Sequence, residues 1–142
     1  MPYSPLLVKP MREELTSIGV QELLTADQVD EFMNDKTGTA MLVINSVCGC
    51  AAGMARPGVR QALTGEARPD RVATVFAGQD LEATARARSH MPEIPPSSPS
   101  IAFFKEGELV YFLPRHRIEG RSADQVAADL SNVFAEHRAV PA

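Results

Sequence analysis

The run Thr39-Ala-Met-Leu-Val-Ile-Asn45 constrains the fold of this chain more than any other stretch. It carries no charge and no apolar–polar alternation, so neither of its faces can be turned to water. A strand of that kind belongs in the middle of a sheet covered on both sides. Gly38 breaks the chain just before it. After it the chain passes directly into Ser46-Val-Cys-Gly-Cys-Ala-Ala-Gly-Met-Ala-Arg-Pro-Gly58. The alanines and Met54 favour helix from Cys50 to about Leu63, with Gly65 beyond the end. Pro57 lies inside that helix and is expected to kink it.

The remaining elements follow from local signals. Pro10 opens a short helical pattern through Glu13, Glu14 and Leu15, ended by Gly19. Val20 to Leu24 reads as a short strand. Thr25 with Gln28 forms a capping box, and Val29, Phe32 and Met33 give the next helix its apolar face. Arg71 to Ala77 is a second buried strand, and Asp80 is placed to cap a helix reaching about His90. Met91 to Pro99 is a Pro- and Ser-rich loop. Ile101 to Lys105 and Leu109 to Leu113 flank Glu106-Gly107 as a β-hairpin. A second capping box, Ser122 with Gln125, opens a last helix with Val126, Leu130, Val133 and Phe134 on one face.

The order is β-α-β-α-β-α-β-β-α, with residues 1–19 set aside as an N-terminal arm and helix. Crossover helices between buried strands imply a central sheet with helices on both faces, and the closing hairpin makes that sheet mixed. This is the layout of an α/β, three-layer, thioredoxin-like fold. At 142 residues the chain is expected to be a single domain spanning residues 1–142. The formal charge of -4 offers no basic field for nucleic acid. No apolar run is long enough for a membrane span, and Met1 to Pro10 lacks the pattern of a secretory signal. The expectation is a cytoplasmic protein without nucleic-acid or membrane partners.

The only two cysteines, Cys48 and Cys50, are separated by Gly49 alone. A bridge between them would close almost no loop, so stability cannot be its purpose. They lie where a buried strand gives way to a helix, and unpaired N–H groups at a helix start stabilise an anion. A thiolate there is favoured, which makes Cys48 the candidate nucleophile and Cys50 the candidate resolving thiol. Residues i and i+2 of a regular helix do not face each other, so a Cys48–Cys50 bond needs a non-helical turn. The strand leading to the pair contains no ionisable residue that could act as a base toward Cys50. Metal binding is the other chemistry open to two thiolates, but His90, His116 and His137 are far apart in sequence and no second Cys pair exists.

The segment Asn45 to Gly58 resembles the signature of the bacilliredoxin family, small bacterial thioredoxin-like proteins. The similarity extends to Met11-Arg-Glu-Glu-Leu15, Pro96-Ser-Ser-Pro-Ser-Ile101 and Pro114-Arg-His-Arg-Ile-Glu-Gly120. It implies an enzyme that reduces mixed disulfides between protein cysteines and a low-molecular-weight thiol, bacillithiol or similar. That thiol would be a co-substrate, with no tightly bound cofactor, and S-thiolated proteins would be the partners. The matching positions make Cys48 the attacking cysteine and Cys50 the second cysteine. Some members show disulfide isomerase activity, which is the alternative reading.

The resemblance also implies a cis peptide at Ser98–Pro99, where backbone groups could pair with an extended substrate beside the cysteines. Arg115 and His116 follow the hairpin, on a loop that such folds bring toward the active face. Their positive charge could hold the carboxylates of a small thiol, or they could simply be solvated, with Glu119 as a partner. His90 and His137 lie near helix ends, where a cation is stabilising, and are assigned no function.

Overall fold

The computed structural model describes residues 2–138. Helix α1 spans Pro5–Thr16. It starts at Pro5 rather than at Pro10, because Ser4 and Pro5 already form a start signal. The Ser4 hydroxyl accepts the Leu6 N–H at 3.3 Å, and proline is favoured at a first helical position. Pro10 is carried inside the helix at an exposed position. Gly19, at φ +92°, turns the chain out of the helix and into strand β1, Gln21–Glu22.

Then follow α2 (Ala26–Asn34), β2 (Thr39–Asn45), a π-helical turn (Ala51–Ala55) and α3 (Arg56–Ala62). Strand β3 (Arg71–Phe76) leads into α4 (Leu81–Ser89), and the hairpin β4 (Ser100–Lys105) and β5 (Glu108–Leu113) follows. A 3₁₀ turn, Arg115–Arg117, precedes α5 (Ala123–His137). Glu106 and Gly107 both have positive φ, 50° and 83°, as a two-residue turn of the type that matches strand twist requires.

The sheet runs β1-β3-β2-β4-β5. The first three strands are parallel, while β4 is antiparallel to both β2 and β5. Every residue of β2 is buried, as its unbroken apolar run requires. Its side chains alternate between two cores. Met41 and Val43 pack with Leu15, Val59, Leu130 and Phe134, from the side covered by α1, α3 and α5. Ala40, Leu42 and Ile44 pack with Val29, Phe32, Ala83 and Ala87, from the side covered by α2 and α4. The result is the mixed, three-layer arrangement expected. Among the described residues no helix is long and apolar enough to cross a membrane.

Two capping expectations differ in detail. Ser122 and Gln125 form the full reciprocal box at α5. At α2 the Thr25 hydroxyl accepts the Gln28 N–H at 3.1 Å, but Gln28 Oε1 accepts from Leu24 rather than from Thr25. Asp80 stands at the start of α4 without capping it. Its carboxylate is taken by Arg12 of α1 in a two-pronged ion pair, at 2.7 and 2.9 Å, because a guanidinium fork outcompetes a single amide. Arg12 also reaches Glu22 at 3.2 Å and lies over the Phe76 ring, so α1 is fastened to the sheet.

Candidate active site

The site is built at the end of β2. Asn45 closes the strand, and its Oδ1 accepts the Ser46 N–H at 2.9 Å, which turns the chain out of the sheet. Cys48 occupies the bend before the first helical turn. Its carbonyl accepts the N–H groups of Ala51 and Ala52, each at 3.1 Å. Cys48 thus starts the helical segment, half-buried, while Cys50 is inside it and buried. Because Cys48 stands outside the regular helix, the two sulfurs can meet despite their i, i+2 spacing, and they lie 2.7 Å apart as free thiols. The Ser46 hydroxyl donates to Cys48 Sγ at 3.2 Å and accepts the Cys48 N–H at 3.4 Å.

These contacts separate the two thiols electrically. Burial alone would push Cys48 up. Hydrogen bonds from the Cys50 thiol, the Ser46 hydroxyl and the Ala51 and Cys50 amides outweigh it, so Cys48 falls below the ordinary thiol value. Cys50 is pushed up, first by burial and then by accommodating its neighbour as the anion. The charge of Arg115 offsets part of that rise, and no carboxylate is among the groups that act on Cys50.

A residue not singled out from the sequence lies directly beneath this turn. Arg56, the first residue of α3, is 1% exposed. Its Nη1 donates to Asn45 Oδ1 at 2.9 Å and to the Ser46 carbonyl at 2.7 Å, and its Nε donates to Glu14 of α1 at 3.1 Å. The strand leading to the cysteines has no ionisable residue, as read from the sequence. A cation arrives instead from downstream in the chain. The signal that could have found it is an arginine amid the small and apolar residues of a buried helix.

Pro57, expected to kink the helix, follows the π-helical turn at Ala51–Ala55. The Arg56 N–H bonds back to the Ala51 carbonyl, a five-residue step in place of four. The ring is thereby received at the first turn of α3, where proline lacks no needed donor.

The Ser98–Pro99 peptide is cis. Pro99 is buried and Ser98 half-buried. Arg115 Nη1 donates to the Ser98 carbonyl at 3.4 Å and its backbone N–H to Ser97 Oγ at 3.3 Å, so the 3₁₀ turn and the proline loop are joined. Arg115 also pairs with Glu119 at 3.2 Å. Its positive charge reaches both cysteines. His116 does not join them. It lies on the rim of an apolar groove of about 290 Å³ formed by Ile94, Pro95, Pro96, Phe112 and Pro114. His90 is half-buried and pairs with Asp30 at 3.0 Å, and His137 packs on the Phe103 ring. Among the described residues, no three His, Cys, Asp or Glu side chains gather as metal ligands.

A family described as disulphide isomerase matches residues 3–138. A bacilliredoxin from Koribacter versatilis is 53% identical over 135 residues, covering 95% of this chain and 93% of that protein. Another, from Salinibacter ruber, is 55% identical over 136 residues, covering 94% of this chain and 80% of that protein. A third, from Bacillus cereus, is 51% identical over 133 residues, covering 93% and 92%. Among solved structures, Fasciola hepatica thioredoxin superposes with a TM-score of 0.58 at 22% identity, over 84% of this chain and all of that one. Mitochondrial thioredoxin 3 of Saccharomyces cerevisiae, in its oxidised form, gives 0.57 at 15% identity, over 87% and 98%. At such identities these structures speak to the fold alone.

Proposed function

The chain belongs to the bacilliredoxin family and is a thiol–disulfide oxidoreductase, and from that premise we propose that it strips a low-molecular-weight thiol from S-thiolated protein cysteines. The observation that carries the reading is the inequality of the two thiols, with Cys48 held below the ordinary value and Cys50 above it. One thiolate is ready to attack and the other is held back as a thiol. The Cys48 thiolate attacks the sulfur of the small thiol in the mixed disulfide. The old S–S bond breaks, the target cysteine leaves as a thiolate and takes a proton from water, and the small thiol stays on Cys48. A second molecule of the small thiol then attacks that sulfur as its thiolate, forming the symmetric disulfide and freeing Cys48. Ser98, Pro99, Arg115 and His116 are the proposed binding groups, with Arg115 receiving an anionic part of the small thiol.

The 2.7 Å approach of the sulfurs favours a second resolution route. Cys50 attacks Cys48, the small thiol leaves, and an external dithiol must then reduce the internal bond. This route would also serve a disulfide isomerase.

The test uses a target protein carrying bacillithiol in mixed disulfide, with intact mass spectrometry of both partners. Cys48→Ser should release nothing. Cys50→Ser should free the target in one turnover and keep the adduct on Cys48. Release by Cys48→Ser would overturn the assignment. Parent protein that accumulates lighter by two hydrogens, without adduct, would establish the dithiol route.

A further inference from the structure

Arg56 is an expensive residue to bury, since a guanidinium gives up its hydration and must recover it from fixed partners. Here the partners converge on one residue. The Ser46 carbonyl accepts from Arg56 directly at 2.7 Å. The Ser46 N–H is held by Asn45 Oδ1, and that same oxygen is itself held by Arg56 at 2.9 Å. Both backbone groups of Ser46 are therefore tied to one guanidinium. The Asn45 amide is further anchored through Nδ2 to the Met11 carbonyl at 3.4 Å, and Arg56 Nε to Glu14 at 3.1 Å. What the clamp leaves free is the Ser46 hydroxyl, which points at Cys48 Sγ.

We propose that Arg56 is a positioning residue for Cys48, clamping the Asn45–Ser46 turn so that Ser46 Oγ is held as a hydrogen-bond donor to the attacking sulfur. Ser46 touches the reacting atom and is in that sense catalytic, while Arg56 acts through it. Helix α1 becomes part of the active site by supplying Glu14 and the Met11 carbonyl. The fork geometry is what matters. A lysine keeps the charge but cannot serve Asn45, Ser46 and Glu14 with a planar set of donors. The inference rests on Cys48 being the attacking thiol.

The experiment measures the pH midpoint of Cys48 alkylation by iodoacetamide, which needs no knowledge of the substrate. It is run in full-length Cys50→Ser protein, where one thiol titrates and the serine hydroxyl keeps a donor beside it. Ser46→Ala and Arg56→Lys should each raise the midpoint by about one pH unit, the scale of one hydrogen bond to a charged sulfur. The double variant should show no further rise, because Arg56 works through Ser46. Glu14→Gln should raise it by a smaller amount, as the clamp loses its anchor. A plain electrostatic field predicts the opposite sign there, since removing a carboxylate makes a nearby thiolate easier to form. An unmoved midpoint in Arg56→Lys, a downward shift in Glu14→Gln, or additive shifts in the double variant would each overturn the proposal. Should Arg56→Lys fail to fold, Glu14→Gln, at a half-exposed carboxylate, decides alone. Failure of the underlying reading looks different. Cys48 in the unaltered protein would then titrate as an ordinary thiol and react no faster than Cys50.

Discussion

Replacing Gly58 with alanine should loosen the protein and disturb its cysteine turn together. A Cβ at Gly58 would fall 2.7 Å from Val126 Cγ1, 2.8 Å from Val126 Cβ and 3.2 Å from the Ala123 carbonyl oxygen. Carbon atoms rest at about 3.5–4.0 Å, so α3 and α5 must separate by roughly 1 Å or Val126 must yield. Val126 has no room to yield. It is fully buried, its β-branched side chain is held to few rotamers in a helix, and no rotation moves its Cβ. Overpacking of this kind costs about 1–3 kcal/mol, and alanine recovers about 1 kcal/mol over glycine in a helix. The net loss is at most about 2 kcal/mol, or up to roughly 8 °C in Tm for a chain of this size. Thermal unfolding followed by circular dichroism measures it. Gly53→Ala is the control, because a Cβ there meets nothing within 4 Å and should leave Tm unchanged or raise it. A Tm for Gly58→Ala above the parent's would refute the argument, since only the clash opposes the gain in helix propensity. The same displacement moves Arg56 on α3, so Cys48 alkylation at neutral pH should slow alongside the fall in Tm.

Three further outcomes are expected. In the unaltered protein, fragment-resolved alkylation should show Cys48 reacting first, with a midpoint below the ordinary thiol value of about 8.5, and Cys50 reacting only at higher pH. By linkage, a lowered Cys48 contributes stability above the ordinary thiol value, and this is lost as the pH falls through the lowered one. Cys50 reacting first would contradict both statements. Arg12→Met should cost about 1–3 kcal/mol in urea unfolding, because it leaves the part-buried Asp80 carboxylate without its cation. A loss of only a few tenths of a kcal/mol would mean the pair behaves as an exposed one. Arg115→Gln should raise the Cys50 midpoint further and slow alkylation of Cys50 in a Cys48→Ser background, without moving Tm, since the side chain is at the surface. An unchanged Cys50 midpoint would sink that role.

The parts of the fold that were legible in the sequence are those governed by neighbours in the chain. The unbroken apolar run of β2 could only be central, and the Glu106-Gly107 turn could only join a hairpin. Ser122 and Gln125 announced α5 because a capping box is complete within four residues. Asp80 is the converse case. Its position promised a cap, but its partner, Arg12, lies far back in the chain, and nothing local to Asp80 records that pairing. Cys48 and Cys50 were legible because their spacing and their place after a buried strand are themselves the chemical signal. Ser46 was overlooked because a serine before a helix is ordinarily a capping residue, and only the folded turn shows its hydroxyl directed at sulfur.

What the local pattern conceals about Arg56 is its inward direction, for a reason that lies in helix phase. Each residue of an α-helix advances about 100° around the axis, so one extra residue in a turn rotates everything after it by that amount. The π-helical turn at Ala51–Ala55 inserts such a residue between the cysteines and α3. A continuous α-helix already groups Gly58, Val59 and Ala62 on one face with the buried Ala51 and Ala55, but it sets Arg56 about 140° around the axis from Ala51, away from that face. With the insertion, Arg56 turns inward beside Val59 and Ala62, while Gly58 meets Val126 of α5. Pro57 is the visible trace of this device in the sequence. It lacks the N–H that a regular helix would direct to Gly53, and the wider turn ahead of it removes the conflict between its ring and that carbonyl. A residue read as a kink thus marks a change of phase, and the change of phase is what brings a guanidinium beneath the turn that carries Cys48.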